Sequence, residues 1–243
     1  MRLIMVGCEY AGKTTLADAL CEWAERTLGG RFKFHDHFTI PNPELGPEAA
    51  KEFLTLHPQI KEQYQRFIMS HHLESSFYAN HDHNMVGFHI EEAVYAPLYY
   101  GYGGKDSGAP MRSPEGQRSY WARFIEKQLL EIDPETTLIL VHASPEVIAR
   151  RMKESPHEYQ VVEEGDIEHV LERFKEEFLG SLIWRRVSID TSTRTVEESL
   201  AELLQRIEPY LTDADRQRIL SHRVLKEHFL GGDLEIDMHD SLV

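Results

Sequence analysis

Apolar and polar positions along the chain fall into two alternating periods. Short continuous apolar runs bounded by turn residues mark strands buried on both faces, and apolar residues spaced three and four apart mark helices packed on one side. Leu3-Ile4-Met5-Val6, ending at Gly7, is the first such run. From Lys13 to about Leu28, Leu16, Ala19, Leu20 and Trp23 share one helical face, and Gly29-Gly30 stops the element. Phe32 to Asp36 reads as a second strand, and Ile40-Pro41-Asn42-Pro43 breaks regular structure. Pro47 to Leu56 and Pro58 to about Asn80 read as helices, each with proline near its start.

The alternation continues to the C-terminal region. Met85 to Ile90 is predicted as a third strand, Tyr95 to Pro114 as a tyrosine-, glycine- and proline-rich loop, and Glu115 to Ile132 as a helix. Thr137 to His142 is a fourth strand, Pro145 to Lys153 a helix, and Glu154 to Gly165 a polar interruption. A helix from Asp166 to Phe178, a strand from Val187 to Asp190 and a helix from Val196 to Tyr210 follow. Strands alternating with helices predict an α/β fold in three layers, a five-stranded parallel sheet covered by helices on both faces. Beyond Pro209 the pattern changes. Asp213 to Phe229 reads as an extra helix, so residues 212–243 form a C-terminal helical extension with an acidic tail, appended to a domain of residues 1–211. That tail could pack on a partner subunit, which admits a homodimer.

Composition narrows the function. The 243 residues are 41% hydrophobic and 28% charged, enough for a globular core. The net charge of −15, without a lysine or arginine run, argues against genomic nucleic acid as a partner. No apolar run reaches the roughly 18 residues of a membrane span, so no membrane partner is expected. Strand and motif begin directly at the N-terminus, leaving no room for a cleaved signal peptide. Cys8 and Cys21 are too few for a disulfide framework, which places the chain in a reducing cytoplasm.

The strongest chemical signal is Gly7-Cys8-Glu9-Tyr10-Ala11-Gly12-Lys13-Thr14, a full match to the P-loop (Walker A) pattern set between a strand and a helix. Gly7 and Gly12 let the backbone curl so that successive N–H groups point at one anion, and the following helix adds its positive end. Lys13 offers a mobile point charge to the β- and γ-phosphates, Thr14 a hydroxyl to Mg²⁺, and Thr15 reaches the α-phosphate. ATP and Mg²⁺ are therefore the expected cofactors. A GTPase's DxxG and NKxD motifs are absent. The best apolar strand ends in His142-Ala143-Ser144-Pro145 rather than in the acid a motor or transporter ATPase carries.

Over roughly residues 1–211 the chain resembles the P-loop nucleoside and nucleotide kinases, thymidylate kinase and the deoxynucleoside kinases above all. Glu9 and Thr14-Thr15 match the thymidylate kinase form of the loop. The resemblance implies that Asp36, within His35-Asp36-His37, faces substrate and that Arg66 reaches the nucleobase or phosphate. It implies a carboxylate at the end of the third strand that orients the acceptor or holds Mg²⁺ through water. His89, Glu91 and Glu92 all stand near that place, and Glu91 is favoured. The arginine that follows the acid in the family is missing here. Tyr95 and Tyr99 fall in the family's tyrosine-rich, substrate-facing segment. Arg150 and Arg151 match the arginines that stabilise the transferring phosphoryl group or stack on adenine; adjacent on a helix, they cannot both face one point. Glu154 to Gly165 would be the lid, Arg112 and Arg118 would fall near the site, and Ser188-Ile189-Asp190-Thr191-Ser192 would run beside the adenine. Separately, strand alternation would put His35 and His37 on one face, where a divalent metal is conceivable.

The resulting expectation is an ATP-dependent kinase of a nucleoside or nucleoside monophosphate, with a pyrimidine deoxynucleotide favoured. A kinase of another small metabolite on the same scaffold is the alternative. So is an ATP-binding regulatory protein with little turnover.

Overall fold

The computed structural model of the chain describes residues 1–30, 32–37, 45–74, 82–104, 117–156 and 160–229, with the backbone alone for 33, 34, 36, 37 and 229. Five strands form one parallel sheet: β1 (Arg2–Val6), β2 (Lys33–His37), β3 (His83–Gly87), β4 (Thr137–His142) and β5 (Arg186–Asp190). Their order is β2-β3-β1-β4-β5. Leu3 aligns with Asn84 of β3 on one side and Thr137 of β4 on the other. The fully apolar stretches of β1 and β4 explain their central positions: Met5, Val6, Leu138, Ile139 and Val141 have no exposed surface.

Helices α1 (Lys13–Leu28), α2 (Pro47–Thr55), α3 (Pro58–His71), α4 (His89–Tyr95), α5 (Arg118–Ile132), α6 (Pro145–Glu154), α7 (Ile167–Leu179), α8 (Val196–Ile207) and α9 (Asp213–Phe229) complete the described elements. α1 packs against α8 and α9, while α4 packs against α5 and α7, so helices cover the sheet and the three-layer α/β architecture holds. α8 begins with a reciprocal cap, in which Thr195 accepts from the Glu198 N–H and Glu198 accepts from the Thr195 N–H. From β1 the chain crosses to β2 and β3 on one side, and later to β4 and β5 on the other. That reversal opens a crevice at the carboxyl ends of the strands, where β1 runs into the glycine-rich loop.

Several boundaries differ from the sequence expectation. The third strand ends at Gly87, not Ile90, because Gly87 (φ 86°) and Phe88 (φ 77°) turn the chain sharply into α4. It begins two residues early, at His83, since His83 and Asn84 are buried despite their polarity. Tyr95 closes α4 rather than opening a loop. Ala96–Tyr100 then makes a single wide π turn that ends at Gly101 (φ 74°). α3 stops at His71, and 75–80 lie outside the described residues. α5 begins at Arg118; 105–116, Arg112 among them, also lie outside. α6 runs on to Glu154, and among the described residues of the expected lid a helical turn forms at its end, Glu164–Asp166. Residues 157–159 and the tail from 230 lie outside the description. Among the described residues no helix is long and apolar enough to cross a membrane.

Candidate active site

The loop from Gly7 to Thr14 is shaped by close packing. A Cβ on Gly7 would lie 2.0 Å from the Val141 carbonyl oxygen, so only glycine lets the chain leave β1 beside β4. Tyr10 holds a left-handed conformation (φ 62°), and Gly12 (φ 90°) starts α1. Three distant segments brace the loop. The Thr191 hydroxyl donates to the Ala11 carbonyl at 2.7 Å, and Arg151 donates to the carbonyls of Tyr10 and Thr191 at 2.9 and 2.8 Å. The Glu9 N–H donates to the Tyr95 hydroxyl at 3.0 Å.

α1 enters the site with no side-chain cap and no acid in its first turn. Thr14 and Thr15 of that turn are exposed. A helix N-terminus left open in this way keeps its positive end for an anion. Beside it the Lys13 ammonium donates to the carbonyls of Gly7 and Cys8, at 2.7 and 3.1 Å, and sits 3.0 Å from a Glu91 carboxylate oxygen. Burial works to lower the Lys13 pKa, but the Glu91 charge and hydrogen bond outweigh it and the net shift is upward. Lys13 therefore stays charged at neutral pH. The neighbouring Cys8 has no exposed surface, and burial pushes its thiol up to about 12.

The three residues at the end of β3 part company. Glu91 turns to Lys13. Glu92 is fully buried, with one oxygen 2.6 Å from Arg118 and a hydrogen bond from the Tyr102 hydroxyl at 3.2 Å. Burial raises its pKa, opposed by Arg118. His89 is fully buried too, its Nε2 2.9 Å from Glu126 Oε1.

The other expected site residues are dispersed. Arg151 braces the loop, whereas Arg150 is 60% exposed and lies 3.9 Å from Glu154. Arg66 pairs with Glu62 at 2.8 Å and stacks over Trp121 at 4.4 Å. Tyr95 is buried beneath the loop with its ring edge on Phe174, and burial lifts its pKa well above the usual phenol range. Tyr99 donates to Asp166 at 3.1 Å, tying the π turn to the residues that follow the lid. The backbone of Asp36 lies on β2, but its side chain is outside the description. His35 Nε2 lies 2.7 Å from His72 Nε2, while the His37 side chain is undescribed. Among the described residues no group of three or more His, Cys, Asp or Glu could hold a metal. Oxygen donors suited to a nucleotide-borne Mg²⁺ are present in the exposed Thr14 hydroxyl and in Glu91 beside Lys13.

Two segments named from the sequence make contacts with the loop that the sequence did not foretell. The Thr191 bond to Ala11 spans 180 positions, and no local signal announces such a contact. The lid arm is the other. Val161 and Val162 donate their N–H groups to the Glu9 carboxylate.

No protein-family model matches the sequence, and no curated protein matches it. Solved structures do resemble it. Deoxyadenosine kinase from M. mycoides with bound dATP aligns with a TM-score of 0.55 at 12% identity, covering 85% of this chain and 99% of that one. Thymidylate kinase from Candida albicans aligns at 0.50 and 14%, covering 90% and 93%. The YorR protein of Bacillus subtilis, in complex with phosphorylated GDP, aligns at 0.50 and 19%, covering 86% and 99%. The chain has the fold of the P-loop nucleoside and nucleotide kinases.

Proposed function

We propose that the chain is an ATP- and Mg²⁺-dependent phosphotransferase whose acceptor is a nucleoside or nucleoside monophosphate. The observation that carries this reading is the Lys13 ammonium, poised between the loop carbonyls and Glu91 at the uncapped start of α1. Phosphoryl transfer needs alignment and positive charge around a loose transition state, and little covalent chemistry from the protein. The loop N–H groups and the α1 N-terminus cradle the β- and γ-phosphates. Lys13 moves from the carbonyls of Gly7 and Cys8 onto the phosphate oxygens. Thr14 and Glu91 would hold Mg²⁺, which would supply further neutralisation of the phosphate charge. Glu91 also orients an acceptor hydroxyl and takes its proton; a phosphate acceptor needs no base. Glu91 is favoured over its neighbours because Glu92 is engaged by Arg118 and His89 by Glu126.

Arg151 supports the transfer through the loop it braces, and Arg150 is left to the surface. The acceptor class draws on the named substrates of the structural neighbours, deoxyadenosine and thymidylate among them. They do not select a base, so a pyrimidine deoxynucleotide is not singled out. Buried and in no disulfide, Cys8 and Cys21 suit the reducing cytoplasm where ATP is abundant.

ADP release would be measured across nucleosides, nucleoside monophosphates and small alcohols. Acceptor-dependent release is expected with at least one nucleoside or nucleotide, and Lys13→Ala should cut kcat/KM roughly a hundredfold or more. Stimulation by a non-nucleoside alcohol alone would favour the other-metabolite alternative. Tight ATP binding with no acceptor stimulation anywhere would favour a regulatory ATP-binding protein. Near-normal turnover in Glu91→Gln would move the carboxylate role elsewhere.

A further inference from the structure

Glu9 lies inside the phosphate loop, yet its carboxylate is turned to another segment. Val161 N–H donates to both oxygens, at 3.2 and 3.0 Å, and Val162 N–H donates to Oε2 at 3.0 Å. Next to it the Tyr10 hydroxyl donates to Gln160 Oε1 at 2.8 Å, and Gln160 Nε2 donates to the Val162 carbonyl at 3.0 Å. Val162 is 1% exposed and belongs to the core, so the arm is seated as well as hydrogen-bonded. The backbone of Glu9 is fixed in turn by the buried Tyr95 hydroxyl.

We propose that Glu9 is a positioning residue that latches the lid arm Gln160-Val161-Val162 over the phosphate loop, so that nucleotide occupancy and lid closure are coupled. The charge distribution gives the latch its purpose. Between Glu154 and Gly165 the lid contains no lysine or arginine, so it brings no permanent cation to a transferring phosphoryl group. The cation before it, Lys153, is paired with Glu164 at 2.6 Å. What this lid contributes is exclusion of water from the phosphates.

A carboxylate in the phosphate loop repels an incoming triphosphate unless donors occupy its oxygens. The lid N–H groups are those donors. A triphosphate therefore binds the latched form better than the open one, and by reciprocity it holds the lid shut. The proposal rests on nucleotide binding by the loop, but not on which acceptor the protein uses.

Amide hydrogen exchange on the full chain, with and without Mg·ADP, tests it in wild type, Glu9→Ala and Glu9→Gln. Val161 and Val162 amides should exchange roughly tenfold or more faster in Glu9→Ala, with β4 unchanged, because charge-assisted bonds are lost. Glu9→Gln, which keeps one oxygen acceptor, should fall between and serves where the alanine variant does not fold. Mg·ADP should slow these two amides in wild type and much less in Glu9→Ala. ADP released without acceptor should also rise relative to acceptor-dependent release, a ratio that mere destabilisation does not move. Unchanged exchange at Val161 and Val162 in a folded Glu9→Ala protein would overturn the proposal. If wild type shows no acceptor-dependent turnover, the kinase reading fails while the exchange experiment still decides the latch.

Discussion

Arg118 carries a charge and has no exposed side-chain surface. Its guanidinium reaches Glu92 and, at 3.4 Å, Glu62, and it lies over the rings of Tyr102 and Trp121 at 5.7 and 5.4 Å. A Cβ on Gly103 would come 1.9 Å from Arg118 Cγ, so the chain passes that close only because Gly103 has none. Removing one member of a buried ion pair leaves the other charge uncompensated, whereas removing both is far milder. Arg118→Met should therefore cost about 3–5 kcal/mol in urea unfolding, and adding Glu92→Gln should recover a large part. A single variant as stable as wild type would mean that the pair carries no structural weight. From the sequence, the family resemblance put Arg118 near the site. Its actual partner is one of two adjacent glutamates, and linear order does not say which of them turns inward.

Elements were legible where burial is uniform. β1 and β4 are almost wholly apolar, and their ends match the prediction closely. The third strand was harder, because it opens with His83 and Asn84 and, after Gly87, gives way to a phenylalanine with positive φ. A β-like residue in that conformation is held by its surroundings, here His72 and His89 packed edge-on against the buried Phe88 ring. That turn places Glu91 and Glu92 on the first turn of α4 and sends His89 to Glu126. Glu126 joins α5 to the segment after α7 by accepting from Ser181 and the Leu182 N–H, both at 2.7 Å, beside Arg123 at 3.0 Å. Burial raises its pKa, but His89, Arg123 and Leu182 outweigh burial and hold the carboxyl below its ordinary value of 4.5. A depressed carboxylate stabilises the fold fully above its unfolded pKa, and that stabilisation is lost as pH falls through the folded value. Glu126→Gln should cost about 3 kcal/mol at pH 7. Its melting-temperature deficit against wild type should shrink as pH drops below 4.5. A deficit constant with pH would show that the ionised form is not what matters.

At the scale of the molecule, one loop motif and a strand–helix alternation were enough to read the fold class. Beyond the loop, the sequence pointed to Glu91, Arg151 and Tyr95, which do lie against it, but not to their contacts, because the site is assembled from β1, α4, α6, the lid arm and the end of β5, which lie far apart along the chain. The burial of Cys8 within this assembly has a use of its own. Only two thiols exist, Cys8 at the phosphate loop and Cys21 midway along α1, and neither reaches solvent. A thiol reagent needs exposed thiolate, so each cysteine becomes a stopwatch for the opening of its own neighbourhood. Cys8 should react once the loop lifts from its braces, whereas Cys21 should wait for α1 to leave the sheet. Timed labelling read by mass spectrometry should give two separate rates, Cys8 the faster, and Mg·ATP should slow both, because the loop and the start of α1 hold it together. Equal rates would mean that loop and helix come away as one piece, and that the loop yields to no motion smaller than the unfolding of α1.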